Sequence, residues 1–368
     1  MSEDQSNWHR PARITGAGKP SQRRRGPELP LLGLMLGDST GIGPELCARI
    51  LADMRLADAA RLLVVGDTRL LARGARDAGV AIDWRTYSTP EEVDWNAEEI
   101  PIIDLGNLDP AETPHGALSA LAGRLAGETL ETMIGLALAG RIEGIVFAPL
   151  NKAALNAGGW KFNDEHQMFA RMTKHEGFFG EMNVLDNKWM SRVTSHVSLR
   201  TALDQITPER IDDALTLADA TMRGAGFARP RIAVAALNPH GGENGLFGRE
   251  EIDIIAPAVQ RGAARGIACS GPFPADTVFI KAFGDDYDGV LTMYHDQGQI
   301  ATKLKGFNRG VTVSGGLKTV FTTPAHGTAY DIAGRGMAST GALEQAVRLA
   351  AKLAASRAKE TRSGAHAG

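Results

Sequence analysis

The sequence predicts an α/β protein built on a largely parallel sheet. Two observations carry that reading. Short apolar runs of strand length alternate with longer segments of helical spacing across residues 29–355, which is the grammar of strand–helix–strand units. Several of the apolar runs also stop at polar, Gly-rich turns, and open α/β sheets bind ligands at the carboxyl ends of their strands.

Residues 29–36 read as a buried strand. A Gly-rich break over 37–44 ends it, and 45–55 continue with helical spacing, with Leu46, Ile50, Leu51 and Met54 apolar. Residues 61–67 form a second strand closing on Gly66-Asp67. Residues 119–139 are helical and 142–147 strand-like. The second half repeats the grammar. Residues 211–224 make an amphipathic helix, 231–237 and 289–294 make buried strands, and 342–355 make a closing helix. Residues 1–28 are polar and basic, with Arg23-Arg24-Arg25 and no apolar run behind them. They read as a disordered tail rather than a secretory signal. Residues 357–368 are expected to be a frayed end.

Composition bounds the function classes. Of 368 residues, 43% are hydrophobic and 23% charged, which excludes a disordered chain. The length suggests two domains. With 40 Lys+Arg against 43 Asp+Glu and 6% aromatics, nothing points to a nucleic-acid partner. Two cysteines, Cys47 and Cys269, make neither a disulfide framework nor a zinc ribbon. A reducing cytoplasm is the expected setting. No stretch reaches the ~18 apolar residues of a membrane span.

Three histidines each follow a strand-like run: His196, His240 and His295. A lone histidine at a strand end is commonly a hydrogen-bonded structural residue. Three together raise the competing reading of one shared divalent metal, since neutral imidazole suits transition metals. Their neighbourhoods are polar: a Gly-rich loop over 238–245 leads into an acidic helix start, and Tyr294-His295-Asp296-Gln297-Gly298 follows an apolar strand. The turn at 37–45 offers a helix N-terminus. It is not the G-x-G-x-x-G fingerprint, and no G-x-x-x-x-G-K-[ST] loop occurs, which argues against ATP hydrolysis. A second Gly-rich loop, 326–336, is able to wrap a nucleotide without a Rossmann motif.

Together these segments resemble the 4-hydroxythreonine-4-phosphate dehydrogenase family, within the isocitrate/isopropylmalate dehydrogenase-like fold. The carrying segments are residues 37–45, 148–152, 194–199, 238–253, 271–277, 293–298 and 326–336, in one order. The resemblance implies a two-domain α/β fold with an interdomain cleft. Residues 29–150 plus 316–356 would form the nucleotide side, and 151–315 the metal, substrate and dimer side. It implies a homodimer with the active site at the interface. A divalent metal would be held by His196, His240 and His295, drawn from both subunits. Three histidines favour zinc, with Mg, Mn and Co also compatible. NAD or NADP would lie partly on His326, Gly327, Thr328, Asp331 and Gly334. The implied reaction oxidises a secondary alcohol of a β-hydroxy acid and then releases CO₂. Asp276 and Asp296 would orient ligands or relay protons, and Lys152 would hold an anion or protonate the enolate.

The chain departs from the family at its substrate residues. Without a gap, Glu165 and His166 stand where the family has His-Thr, and a one-residue shift would make His166 the counterpart of that His with the Thr still lost. Lys303 matches a family lysine, Thr312 replaces an Asn, and Phe321 replaces an Arg. Losing that guanidinium removes a bidentate phosphate partner. With Gly315-Gly316, this resembles the branch of terephthalate dihydrodiol dehydrogenase. The expected substrate is therefore a non-phosphorylated small molecule such as a cis-dihydrodiol carboxylate, with Phe321 and Trp160 lining its pocket. The alternatives are 4-hydroxythreonine 4-phosphate and a phosphorylated sugar acid. A non-catalytic metal- or nucleotide-binding relative is the reading from another class.

Overall fold

The computed structural model describes residues 28–162, 164–306 and 309–365. The basic tail expected over 1–28 therefore lies, except for residue 28, outside the described residues. In chain order the elements of the first half are β1 (Leu31–Met35), α1 (Gly43–Asp53), β2 (Arg61–Gly66), α2 (Thr68–Ala78), β3 (Trp84–Tyr87), β4 (Ile100–Asp104), α3 (Ala120–Leu138), β5 (Gly144–Phe147), α4 (Lys152–Ala157) and α5 (Glu165–Met172). Then come β6 (Gly180–Leu185), β7 (Lys188–Arg192), α6 (Leu199–Gln205), α7 (Pro208–Gly224), β8 (Ile232–Ala235), α8 (Ala256–Ala264), β9 (Cys269–Phe273) and α9 (Ala275–Phe283). The chain closes with β10 (Gly289–Thr292), α10 (His295–Gly306), β11 (Val311–Gly315), β12 (Val320–Pro324) and α11 (Gly341–Ala365).

The helix starts follow local chemistry. Pro44 occupies the first turn of α1, where its missing N–H costs nothing. Ser119 caps α3 by accepting from Ala122 N at 3.2 Å. The helix expected from residue 211 begins earlier, because Thr207 caps it and Pro208 opens it. The closing helix runs on to Ala365, past the end expected at residue 355.

All twelve strands join one sheet, in the order β3-β4-β2-β1-β5-β12-β11-β6-β7-β10-β8-β9. Both outer stretches are parallel, with buried runs such as Leu31–Met35 covered on both faces. In the middle, β12–β11, β11–β6 and β6–β7 pair antiparallel. The β6–β7 hairpin turns on Asp186 and Asn187, with φ 49° and 63°. Two successive left-handed residues make the turn whose twist matches paired strands. Strands β7, β10 and β8 lie side by side and parallel, so the segments following them emerge at one sheet edge.

Packing between α1 and α2 is close. A Cβ placed on Gly74 would lie 2.2 Å from the Pro44 carbonyl oxygen. Gly74→Ala is expected to lower the unfolding free energy by about 3 kcal/mol. The measurement is an earlier urea midpoint with an unchanged slope.

Candidate active site

The site is built on a cross-strand row in the antiparallel middle of the sheet. Register pairs Ser314 with Glu181 and Thr312 with Asn183. The neighbouring registers, carried one step further, set Phe321 beside Ser314 and Arg192 beside Glu181. Helix α5 covers this face. Its Phe169 stacks on Phe321 at 4.1 Å between ring centroids, and its His166 ring nitrogen Nδ1 meets Ser314 Oγ.

Glu181 is the centre of charge. Its Oε2 lies 3.5 Å from His166 Nε2 and 3.7 Å from His196 Nε2, and its Oε1 lies 3.6 Å from Arg192 Nη2. Asn183 Nδ2 donates to Glu181 Oε1 at 3.2 Å and to Thr312 Oγ1 at 3.0 Å, while Arg192 Nη2 donates to Asn183 Oδ1. Burial pushes the Glu181 carboxyl up. Arg192, His166 and His196 outweigh that and hold it well below the usual carboxylate range. Burial works against charge on His166 as well, yet Glu181 raises that imidazole above its ordinary value.

Two of the three strand-end histidines come together. The rings of His196 and His295 stand 5.5 Å apart. His196 Nδ1 bonds Asp164 Oδ2 at 2.6 Å, and His295 Nδ1 bonds Asp296 Oδ1 at 2.7 Å. Asp164 also caps α5 by accepting from Gln167 N. Burial would raise its carboxyl, but the bonds from His196 and Gln167 leave it lowered. Burial lowers His295. His240 does not join the pair in this chain. It sits exposed at φ 53°, with its ring 6.3 Å from that of Phe247. Its turn is anchored by Glu251, whose Oε1 accepts from Leu237 N and Asn238 N at 2.8 and 2.7 Å. Among the described residues, no three His, Cys, Asp or Glu side chains of one chain converge as a metal cage.

The other expected residues divide. Lys152 Nζ lies 3.3 Å from Glu165 Oε2, at the starts of α4 and α5. Thr312 belongs to the buried network. Asp276 and Lys303 are exposed on α9 and α10. The expectation that Phe321 lines a substrate pocket is corrected. It is fully buried in a core with Phe147 and Phe169, because the β12 face it occupies is covered by α5. Trp160 is likewise structural: its Nε1 donates to Arg124 O at 3.0 Å and its ring packs on Gly127.

The two Gly-rich loops form one structure. Ile42 N donates to Thr328 O at 3.0 Å, and Tyr330 Oη donates to Asp38 Oδ2 at 2.9 Å. Gly41 leaves no room for a side chain, since a Cβ would lie 2.8 Å from Thr328 Cβ. Glu45 accepts from Gly336 N and Ala338 N at 3.2 and 3.1 Å. Gly334 has φ 75° and abuts His115, which pairs with Asp77 at 3.0 Å. Thr328 is buried in this junction, whereas His326 and Gly327 stay near its surface.

A family model described as pyridoxal phosphate biosynthetic protein PdxA matches residues 58–350. The chain belongs to the PdxA family. A Pseudomonas aeruginosa protein with the provisional name 4-hydroxythreonine-4-phosphate dehydrogenase 2 is 48% identical, over 89% of this chain and 98% of its own. The D-threonate 4-phosphate dehydrogenase of Cupriavidus necator is 42% identical, over 90% and 99%. Among solved structures, a 4-hydroxythreonine-4-phosphate dehydrogenase from Klebsiella pneumoniae matches with TM-score 0.76 and 37% identity, over 88% of this chain and 99% of that one. A terephthalate 1,2-cis-dihydrodiol dehydrogenase from Burkholderia xenovorans matches less closely, with TM-score 0.62 and 26% identity, over 88% and 98%. The fold is thus that of the PdxA family, a mixed α/β architecture on one large sheet, and the chain is an oxidoreductase. No described helix is long and apolar enough to cross a membrane.

Sequence reasoning missed Asp164, Glu181, Asn183, Arg192 and Ser314. A signal existed: Glu181 and Asn183 sit two apart in a strand, and Arg192 shortly precedes Thr194-Ser195-His196. Period two puts the first pair on one face, but pairing them with Arg192 requires the hairpin register. Glu181→Gln is expected to cost about 3 kcal/mol at pH 7 by leaving its cations uncompensated. The folded carboxyl is depressed, so its stabilisation is present above its ordinary value of 4.5 and lost as pH falls through the depressed one. Urea midpoints of the two proteins should therefore converge progressively below pH 4.5.

Proposed function

We propose that the chain is a metal- and NAD(P)-dependent dehydrogenase oxidising the secondary alcohol of a small phosphorylated hydroxy acid. The observation that carries this is the His196–His295 pair, each Nδ1 held by a carboxylate. Tying Nδ1–H to Asp164 or Asp296 leaves each Nε2 lone pair available, the usual arrangement behind a metal-ligating histidine. A divalent cation bound there would supply Lewis acidity toward the substrate hydroxyl. Of the metals considered, zinc suits imidazole better than Mg or Mn.

The third ligand of the set is His240 from a second subunit. It stands exposed and apart from the pair, as a residue offered across an interface would. Large exposed apolar side chains follow all three histidines in the chain: Leu199 at 57% exposure after His196, Leu246 at 74% after His240, and Leu304 at 83% on the helix begun by His295. Exposed apolar surface of this kind marks association. A homodimer would bury it and complete the site. The nicotinamide nucleotide is assigned to the joined loops at 37–45 and 326–336, whose backbone N–H groups lie beside the α1 N-terminus. Lys152 would meet a substrate anion or return a proton after decarboxylation. We assign residues 29–150 plus 316–356 to the nucleotide side and 151–315 to the metal side, in a cytoplasmic enzyme.

The substrate reading differs from the one the sequence favoured. Close relatives carry the names of phosphorylated-threonine and phosphorylated-threonate enzymes, and the burial of Phe321 removes the pocket on which the dihydrodiol reading leaned.

The test is NAD(P) reduction with 4-hydroxythreonine 4-phosphate and D-threonate 4-phosphate, with Zn²⁺, Mn²⁺ or Mg²⁺, recording NADH and CO₂ together. Turnover abolished by a chelator and restored by metal is expected. No reduction with either acid and each metal would sink the reading. His196→Ala and His240→Ala should each be inactive alone. Mixed and re-associated, they should recover about a quarter of wild-type activity, since half the dimers would carry one intact site of two.

A further inference from the structure

We propose that Arg192 anchors an oxyanion of the substrate, from inside the sheet. Among the described residues, Arg73 and Arg192 are the arginines with buried side chains. Arg73 has an unpartnered Nε, but both its terminal nitrogens are spent on structure, since Nη1 and Nη2 donate to the carbonyls of Pro110, Thr113 and Ser39. Arg192 is not so committed. Its side chain is 4% exposed, and Nη2 engages Asn183 and Glu181, while Nη1 is buried with no hydrogen-bond partner. A guanidinium N–H left unpaired in an interior leaves a place for a water, an ion or a ligand from outside the chain.

Its place fixes what that partner would be. Arg192 ends β7, four residues before His196, and pairs in register with Thr292, three residues before His295. It therefore stands at the foot of the candidate metal pair. At the other end of the row, β12 offers only Phe321, committed to the core. Recognition of an acidic substrate on this face thus falls to Arg192. The hydrogen bond from Nη2 to Asn183 and the ion pair with Glu181 orient the guanidinium and leave one edge for the ligand. The anion is a carboxylate or a phosphate on a substrate whose hydroxyl reaches His196 and His295. This inference rests on the dehydrogenase reading for the identity of the substrate, but not for its test.

The test is calorimetric binding of the phosphorylated hydroxy acid and of its dephosphorylated parent, without NAD, to the metal-loaded protein. Arg192→Met should weaken binding about tenfold or more, and Arg192→Lys less, because an ammonium keeps the charge but not the planar fork. Equal weakening of both acids assigns the carboxylate to Arg192. Weakening of the phosphorylated acid alone assigns the phosphate. Should Arg192→Met misfold from an uncompensated Glu181, the paired Arg192→Met, Glu181→Gln variant removes both charges and carries the same expectation, and Arg192→Lys retains them. In steady state the loss should fall on KM more than on kcat. Unchanged affinity for both acids in the variants that fold overturns the proposal. Arg192-dependent binding without turnover would remove the dehydrogenase reading and leave the anchor standing. Turnover with Arg192-independent binding would do the reverse.

Discussion

A carboxylate buried in a sheet dictates much of what surrounds it. Glu181 is stable as an anion only where opposite charge and hydrogen-bond donors meet it. Strand β7 brings Arg192, β6 itself brings Asn183, and α5 brings His166. Those demands fix the register of β11, β6 and β7, since a slip of one residue would turn Glu181 and Arg192 to opposite faces. They also fix α5. The residue capping that helix is Asp164, which orients His196. One buried charge thus links the antiparallel middle of the sheet to the position of a candidate metal ligand.

The proposed nucleotide side is organised by a different acid. Glu45 lies in the first turn of α1, where a carboxylate normally serves its own helix. Here it reaches across to Gly336 N and Ala338 N, on a loop nearly three hundred positions along the chain. With the Tyr330–Asp38 bond and the tight Gly41–Thr328 contact, this makes the two glycine-rich segments one shaped surface. Preorganised backbone of this kind reduces what a ligand must order on binding.

The fold was largely legible because its signals are local. Apolar runs and helical spacing each announce an element without reference to anything distant, although the helix read from residue 211 starts earlier, at Pro208. The strand-end position of His196, His240 and His295 was legible for the same reason. The polar row was not, since Ser314 and Glu181 are far apart in sequence and become neighbours only through β11–β6 pairing. Phe321 shows the limit of reading by substitution. It stands where a relative's arginine would, and its aromatic ring invited a pocket. What decides its role is Phe169, a contact that no spacing rule reports.

The order of the strands also bears on how the chain is made. β5 gains its second neighbour, β12, only after some 170 further residues have been added, and β6 waits similarly for β11. During synthesis the first parallel half can assemble, yet it carries an open edge at β5 until the last strand leaves the ribosome. Unpaired edges are templates for pairing with other chains. The seam that carries the candidate site is thus also the last part of the sheet to close, and crowding of nascent chains would be felt there first.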